Sequence, residues 1–203
     1  MIAVVDYGVG NLFSLMSSLR FLGLDCIVTN KKEDLTGADR IILPGVGAFG
    51  DAMAKLRESG LEDTVKELAA VKPLLGICLG MQLLFDKSFE HGEHEGLGLI
   101  PGVVAPLAAD IDPALKVPHM GWNRLEITRD DPIFKYFDNG EWVYYVHSYY
   151  AKNCPESILA VSEYGVMVTG LVRSGSGMIY GMQFHPEKSG DAGLRLLKAF
   201  SEI

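Results

Sequence analysis

A chain of 203 residues suits one globular domain and leaves little room for a second. Its hydrophobic fraction of 48% and charged fraction of 22% match ordinary soluble usage and allow a sizeable core. The formal charge of -8 argues against a surface built to hold phosphate backbones, and no apolar stretch approaches the ~20 residues needed to span a bilayer.

The opening residues, MIAVVDYGVGN, lack a basic leader region and their apolar run stops at Asp6, so they do not read as a signal peptide. Ile2–Asp6 is instead a compact β-branched strand, followed by a glycine-bearing turn over Tyr7–Gly10. Within Asn11–Leu22, residues Leu12, Leu15, Met16, Leu19 and Leu22 recur at helical spacing, and Gly23 ends the pattern. Asp25–Thr29 reads as a second strand and Arg40–Leu43 as a third, broken by Pro44-Gly45. Helical material runs from Ala48 to about Val71. Pro73–Cys78 is a fourth strand leading straight into a helical stretch, Leu79–Asp86. Continuous apolar strands alternating with helices imply an α/β fold with a mostly parallel sheet covered on both faces.

From Gly96 to Arg173 the runs shorten and aromatics and turn residues increase, which predicts an antiparallel extension of the sheet. Met178–Phe184 is a late strand and Asp191–Ile203 a C-terminal helix. With no linker, low-complexity segment or repeat, residues 1–203 read as a single domain. The three scattered cysteines, Cys26, Cys78 and Cys154, form neither a disulfide framework nor a CxxC pair and point to a reduced, cytoplasmic setting.

Gly76-Ile77-Cys78-Leu79-Gly80 matches the nucleophile-elbow pattern G-x-S-x-G with cysteine at the centre. A nucleophile on a sharp strand-to-helix turn needs small residues two positions away on either side, and both are glycine. Cys78 then sits at a helix N-terminus, which favours a thiolate, and the Leu79 N–H faces an anion forming beside the sulfur. Taken alone, the cysteine also fits inert packing, the reading for Cys26 and Cys154.

A thiol nucleophile requires a base, and the base a group that fixes its tautomer. His185-Pro186-Glu187 follows the late strand, and residues i and i+2 of an extended segment point to one side. Glu187 can then accept from one ring nitrogen of His185 while the other faces Cys78. His91 and His94 lie in HGEHEG, a solvated loop, while His119 lies in a turn-like PHMGWN and His147 in the aromatic run YYVHSYY. Neither His119 nor His147 has a carboxylate two residues away. Pro44-Gly45-Val46-Gly47 lacks both phosphate-loop patterns and suits a second oxyanion donor opposite Leu79.

The elbow G-I-C-L-G-M-Q with a late F-H-P-E-K resembles the class I glutamine amidotransferases. DYGVGN, LPGVGAF, PHMGWN and YYVHSYY narrow the resemblance to the glutaminase subunits of imidazole glycerol phosphate synthases, over essentially the whole chain. The resemblance implies a flavodoxin-like sandwich in which Cys78 attacks glutamine, His185 carries the proton and Glu187 orients it. It implies an oxyanion hole from Val46, Gly47 and Leu79, and glutamine contacts from Gly47, Gln82, Ser148 and Tyr149. It further implies a heterodimer with a (β/α)8-barrel cyclase subunit, which receives the ammonia and is met by Asn11, Trp122, Asn123, Tyr144 and Lys188. Neither cofactor nor metal, and neither nucleic acid nor membrane, is expected. A glutaminase serving anthranilate, aminodeoxychorismate or pyridoxal phosphate synthesis, a free-standing cysteine hydrolase and a non-enzymatic binding subunit are the rival readings.

Overall fold

The structure, a computed structural model describing Met1–Ile203, begins with four strands that alternate with helices. Strands β1 (Ile2–Val5), β2 (Cys26–Thr29), β3 (Arg40–Leu43) and β4 (Leu74–Ile77) are separated by helices α1 (Leu12–Phe21), α2 (Lys32–Gly37), α3 (Phe49–Glu58) and α4 (Glu62–Ala69). The chain continues through α5 (Leu79–Gln82), β5 (Phe85–Ser88), β6 (His94–Glu95), β7 (Ile100–Pro106), β8 (His119–Arg124) and β9 (Glu126–Ile127). It ends with β10 (Trp142–His147), β11 (Tyr149–Lys152), β12 (Ile158–Glu163), β13 (Met167–Arg173), β14 (Ile179–Met182) and helix α6 (Gly190–Phe200).

The main sheet has the order β2-β1-β3-β4-β14-β13-β12-β9. Its first five strands are mutually parallel, and the remaining three add antiparallel. Alternation along β1 divides the core. Ala3 and Val5 join Leu35, Phe49, Met53 and Leu68 from α2, α3 and α4 on one face. Ile2 and Val4 join Leu15 and Leu19 of α1 and Leu196 and Phe200 of α6 on the other. Burial on both faces is why these strands are apolar throughout rather than alternating.

Several expectations change in detail. The helical stretch from Ala48 to Val71 is two helices, because Gly60 adopts φ +70° and caps α3 by donating to Arg57 O at 2.9 Å. The helix expected over Leu79–Asp86 stops at Gln82, and Phe85–Ser88 becomes a strand pairing with β7 and β6. Leu83, Leu84 and Phe85 are all fully buried, so neither period marks them. The antiparallel region is not wholly part of the main sheet. Strands β8 and β10 form a separate two-stranded ribbon, and β11, β7, β5 and β6 form a third sheet. PHMGWN, read as a turn, supplies most of β8.

The strand order reverses between β1 and β3, where an open α/β sheet leaves a crevice at its carboxyl edge. The loops after these two strands touch there: a side chain on Gly10 would put its Cβ 3.1 Å from Pro44 Cβ. The ends of β4 and β14 complete the same edge, since Met182 pairs with Ile77.

Candidate active site

Cys78 occupies the junction between β4 and α5 with φ 53° and ψ -112°, a conformation that costs about 1–3 kcal/mol for a residue with a side chain. The strand beside it and the helix after it hold it there: its N–H donates to Met182 O of β14 at 2.7 Å, and its carbonyl accepts from Gln82 N of α5 at 3.1 Å. The flanking glycines are required by close approach. A Cβ on Gly76 would lie 2.6 Å from Gly80 O, and one on Gly80 only 1.9 Å from Leu43 O. Gly80→Ala must therefore push the elbow off β3, at a cost of about 3 kcal/mol. The expected result is a thermal midpoint lowered by roughly 10 °C; an unchanged midpoint would contradict the packing. Because α5 is a single turn of four residues, support for an anion here rests on local N–H groups rather than on a long helix dipole.

His185 follows β14 and is fixed through its backbone as well as its ring. Its N–H donates to Tyr144 O of β10 at 2.9 Å, and its carbonyl accepts from Ser189 Oγ at 2.6 Å. Nδ1 pairs with Glu187 Oε1 at 2.8 Å, with the two side chains 2% and 3% exposed. Nε2 is buried, makes no hydrogen bond, and belongs to the ring that lines the same cavity as Cys78. Burial opposes the imidazolium, but the neighbouring Cys78 and Glu187 outweigh it and push the His185 pKa up to about 10. A carboxylate behind the ring and an ionisable sulfur in front of it both favour the protonated ring.

The cavity holds about 300 Å³. Val46 and Gly47 enter it from the loop after β3, Leu79 and Gln82 from α5, and Ser148 and Tyr149 from the corner between β10 and β11. All the residues expected to bind glutamine or form an oxyanion hole therefore meet in one place. Gly47 has φ +99°, a glycine-favouring backbone, while Val46 stays 42% exposed. The Tyr7 hydroxyl donates to Pro44 O at 2.6 Å and anchors the root of this loop. Gln82 Nε2 donates to Tyr149 O and to Gln183 Oε1, both at 3.0 Å, and Gln183 Nε2 lies 4.0 Å from Cys78 Sγ.

Nothing in the sequence marks the contacts that Tyr7, Gln183 and Glu90 make at this site. Glu90 lines the cavity and accepts from Phe49 N at 2.6 Å, so the HGEHEG region begins at the rim of the site. His94 pairs in β6 and sits against Gly50 rather than lying free in solvent. Cys154 is buried, and burial pushes its thiol up to about 11.

The five residues expected at a partner surface gather near this edge in unequal ways. Trp122 is 53% exposed on the outer face of the β8–β10 ribbon, edge-on to Tyr144 at 5.9 Å. Lys188 is exposed on the turn after Glu187. Asn11 caps α1 by accepting from Ser14 N at 3.5 Å. Asn123 points inward, to His119 and Glu163 O.

His147 also lines the cavity, yet it is not available as the base. Its Nδ1 lies 2.8 Å from Tyr149 O and its Nε2 3.0 Å from His119 Nδ1. Burial pushes His147 down to about 3 and His119 down to about 4. Both values lie below ~6.5, that of an unfolded histidine, so the unfolded chain binds protons first as pH falls. The stabilisation from these rings is full above pH ~6.5 and declines toward 4 and 3. The urea midpoint of the native chain should therefore fall more steeply from about pH 7 to 5 than that of His147→Gln. Equal slopes would contradict a buried neutral ring.

Comparison with known proteins agrees with this geometry. A sequence profile of the family described as glutamine amidotransferase class-I matches residues 3–202. The imidazole glycerol phosphate synthase subunit HisH of Listeria monocytogenes serotype 4a (strain HCC23) is 52% identical over 205 residues, covering 100% of this chain and 96% of that protein. The protein of the same name from Bacillus cereus (strain B4264) is 48% identical, covering 100% of this chain and 95% of its own. Among solved structures, one described as a glutamine amidotransferase superposes with TM-score 0.76 at 23% identity, covering 100% of this chain and 98% of its own. PurLQS from Thermotoga maritima gives TM-score 0.75 at 20% identity, covering 99% and 97%; at such identities these two speak to the fold alone. The chain belongs to the class I glutamine amidotransferases and, within them, to the HisH subunits of imidazole glycerol phosphate synthase.

Proposed function

We propose that Cys78, His185 and Glu187 hydrolyse glutamine to glutamate and ammonia, as the glutaminase half of a two-subunit synthase. The observation that carries this reading is the buried His185–Glu187 pair, whose free ring nitrogen belongs to the same cavity as the strained Cys78. The chain's 52% identity to a HisH subunit supports glutamine as substrate and histidine biosynthesis as the setting.

The chemistry follows from the atoms. Cys78 Sγ adds to the carboxamide carbon of glutamine, and the carbonyl electrons move onto oxygen. The N–H of Leu79 and those of the Val46–Gly47 loop stabilise that oxyanion. His185 Nε2–H gives its proton to the departing nitrogen, leaving a glutamyl thioester and ammonia. Water then attacks the thioester, His185 takes its proton, and glutamate leaves with the sulfur restored. Gln82, Ser148 and Tyr149 hold the amino acid in place.

Released ammonia in bulk water would protonate and cease to be a nucleophile. We therefore assign it a protected path into a (β/α)8-barrel cyclase subunit, docked over Asn11, Trp122, Asn123, Tyr144 and Lys188 in a cytoplasmic heterodimer. That subunit forms imidazole glycerol phosphate and AICAR. The loop at Val46 is the switch: Gly45 and Gly47 flank it and absorb rotation of a peptide when the partner binds. Glutamate release with the barrel subunit and its ligand should exceed that of the free chain by about a hundredfold, the effect of gaining one oxyanion donor. Equal rates would overturn the switch, and no turnover in either state would overturn the glutaminase reading.

A further inference from the structure

Behind the Ser148–Tyr149 wall of the cavity lies a buried polar chain that the proposed reaction does not use. His119 and His147 are directly opposed on the β8–β10 ribbon and are 3% and 6% exposed. His119 Nδ1 lies 3.0 Å from His147 Nε2, His147 Nδ1 lies 2.8 Å from Tyr149 O, and Asn123 Nδ2 lies 3.3 Å from His119 Nε2.

The two ends of this chain decide the place of every proton. A backbone carbonyl only accepts, so His147 carries its hydrogen on Nδ1 and presents Nε2 as an acceptor. His119 must then donate from Nδ1 and accept at Nε2. The amide of Asn123 is oriented to supply that last donor, because its Nδ2 also donates to Glu163 O at 2.8 Å while its Oδ1 accepts from Arg124 N at 2.8 Å. The His119 ring has no freedom to turn, being stacked between Tyr164 at 4.0 Å and Tyr145 at 4.7 Å. At the inner end, Tyr149 O accepts from Gln82 Nε2 as well as from His147, so one oxygen ties two walls of the cavity together.

We propose that His119 is a positioning residue for glutamine: donating from Nδ1, it holds His147 as the Nδ1–H tautomer that pins the Tyr149 carbonyl and the Ser148–Tyr149 corner. This rests on the glutaminase reading of the cavity. His119 touches no reacting atom, so its contribution falls on substrate binding and not on the chemical step.

Two near-isosteric variants separate this role from plain packing. The amide nitrogen of asparagine falls near the position of Nδ1, and that of glutamine near Nε2, so only His119→Asn keeps the donor that His147 needs. In glutaminase assays on the full chain with its barrel partner, His119→Gln should raise the KM for glutamine about tenfold, with kcat within about threefold of native. His119→Asn should return KM to within about threefold of native. Equal KM values in the two variants, whether native or impaired, would overturn the proposal, as would a loss confined to kcat. Nitrogen-15 NMR of the histidine rings in the full chain gives a second, activity-independent reading. Both His119 and His147 should be protonated at Nδ1 only at neutral pH, and His119→Gln should release His147 from that form. An Nε2-protonated His147 in the native chain would overturn the proposal even if turnover is normal. Absent glutamine turnover with the expected tautomers would instead sink the glutaminase reading and leave the hydrogen-bonded chain standing.

Discussion

Cys78→Ala should lower glutamate release by the complex about a hundred-thousand-fold, toward the rate set by binding and oxyanion contacts alone. No other group can substitute. The remaining cysteines, Cys26 and Cys154, do not line the cavity, and Gln183, whose Nε2 lies 4.0 Å from the sulfur, is an amide. The substitution leaves the backbone no worse off, because alanine and cysteine carry the same penalty at φ 53°. The sulfur itself lies 4.0 Å from both Val146 O and Gln183 Nε2, so no short hydrogen bond is lost with it. The variant should fold and dock normally, and free ammonia supplied to the complex should still support synthesis. Turnover within tenfold of native would remove Cys78 from the mechanism.

Glu187→Gln should cost about a thousandfold in kcat while leaving the KM for glutamine nearly unchanged. Glu187 is absent from the cavity lining and acts only through His185. Its Oε1 accepts from Nδ1, while Oε2 is buried without a partner. An amide at this position has two orientations, and both are unfavourable. With its NH2 toward Nδ1 it forces the ring proton onto the wrong nitrogen; with its oxygen there, it buries an unpaired NH2. Either orientation also removes the negative charge that favours the imidazolium. The His185 pKa should therefore fall from its raised value, moving its limb of the pH–rate profile to lower pH. A variant with native kcat, or one altered in KM alone, would refute the orienting role.

The elbow and the His-Pro-Glu turn were legible in the sequence because each depends on offsets of two residues in a short segment. Gly76, Cys78 and Gly80 announce a tight turn, and His185 and Glu187 share a side by simple alternation. What joins the two segments was not legible. Pairing of Met182 with Ile77 is a matter of sheet order, and no local pattern records which strands become neighbours. The histidine chain was hidden for a related reason. His119 and His147 meet only in the register of a ribbon whose first strand, PHMGWN, carries turn-like glycine and proline. Helix α2 leaves no trace in the sequence, because KEDLTG buries only Leu35 and so shows no periodic stripe. Glu90 and Tyr7 act through single contacts to distant backbone, at Phe49 and Pro44, and isolated contacts leave no pattern. The named resemblance supplied the substrate, which the offsets alone could not.

Strand β14 lies in the middle of the main sheet, between β4 and β13, although only the His-Pro-Glu turn and α6 follow it in the chain. During synthesis the thiol of Cys78 thus leaves the ribosome more than a hundred residues before its base. Nascent chains hold a nucleophile with no imidazole beside it, and β4 with an open edge where β14 will insert. Such a non-local pairing is slow to form and must wait for Ile179–Met182. On the proposed mechanism the consequence is temporal: a nascent chain that still lacks β14 and His185 has no base beside its thiol, and ammonia release waits on that strand.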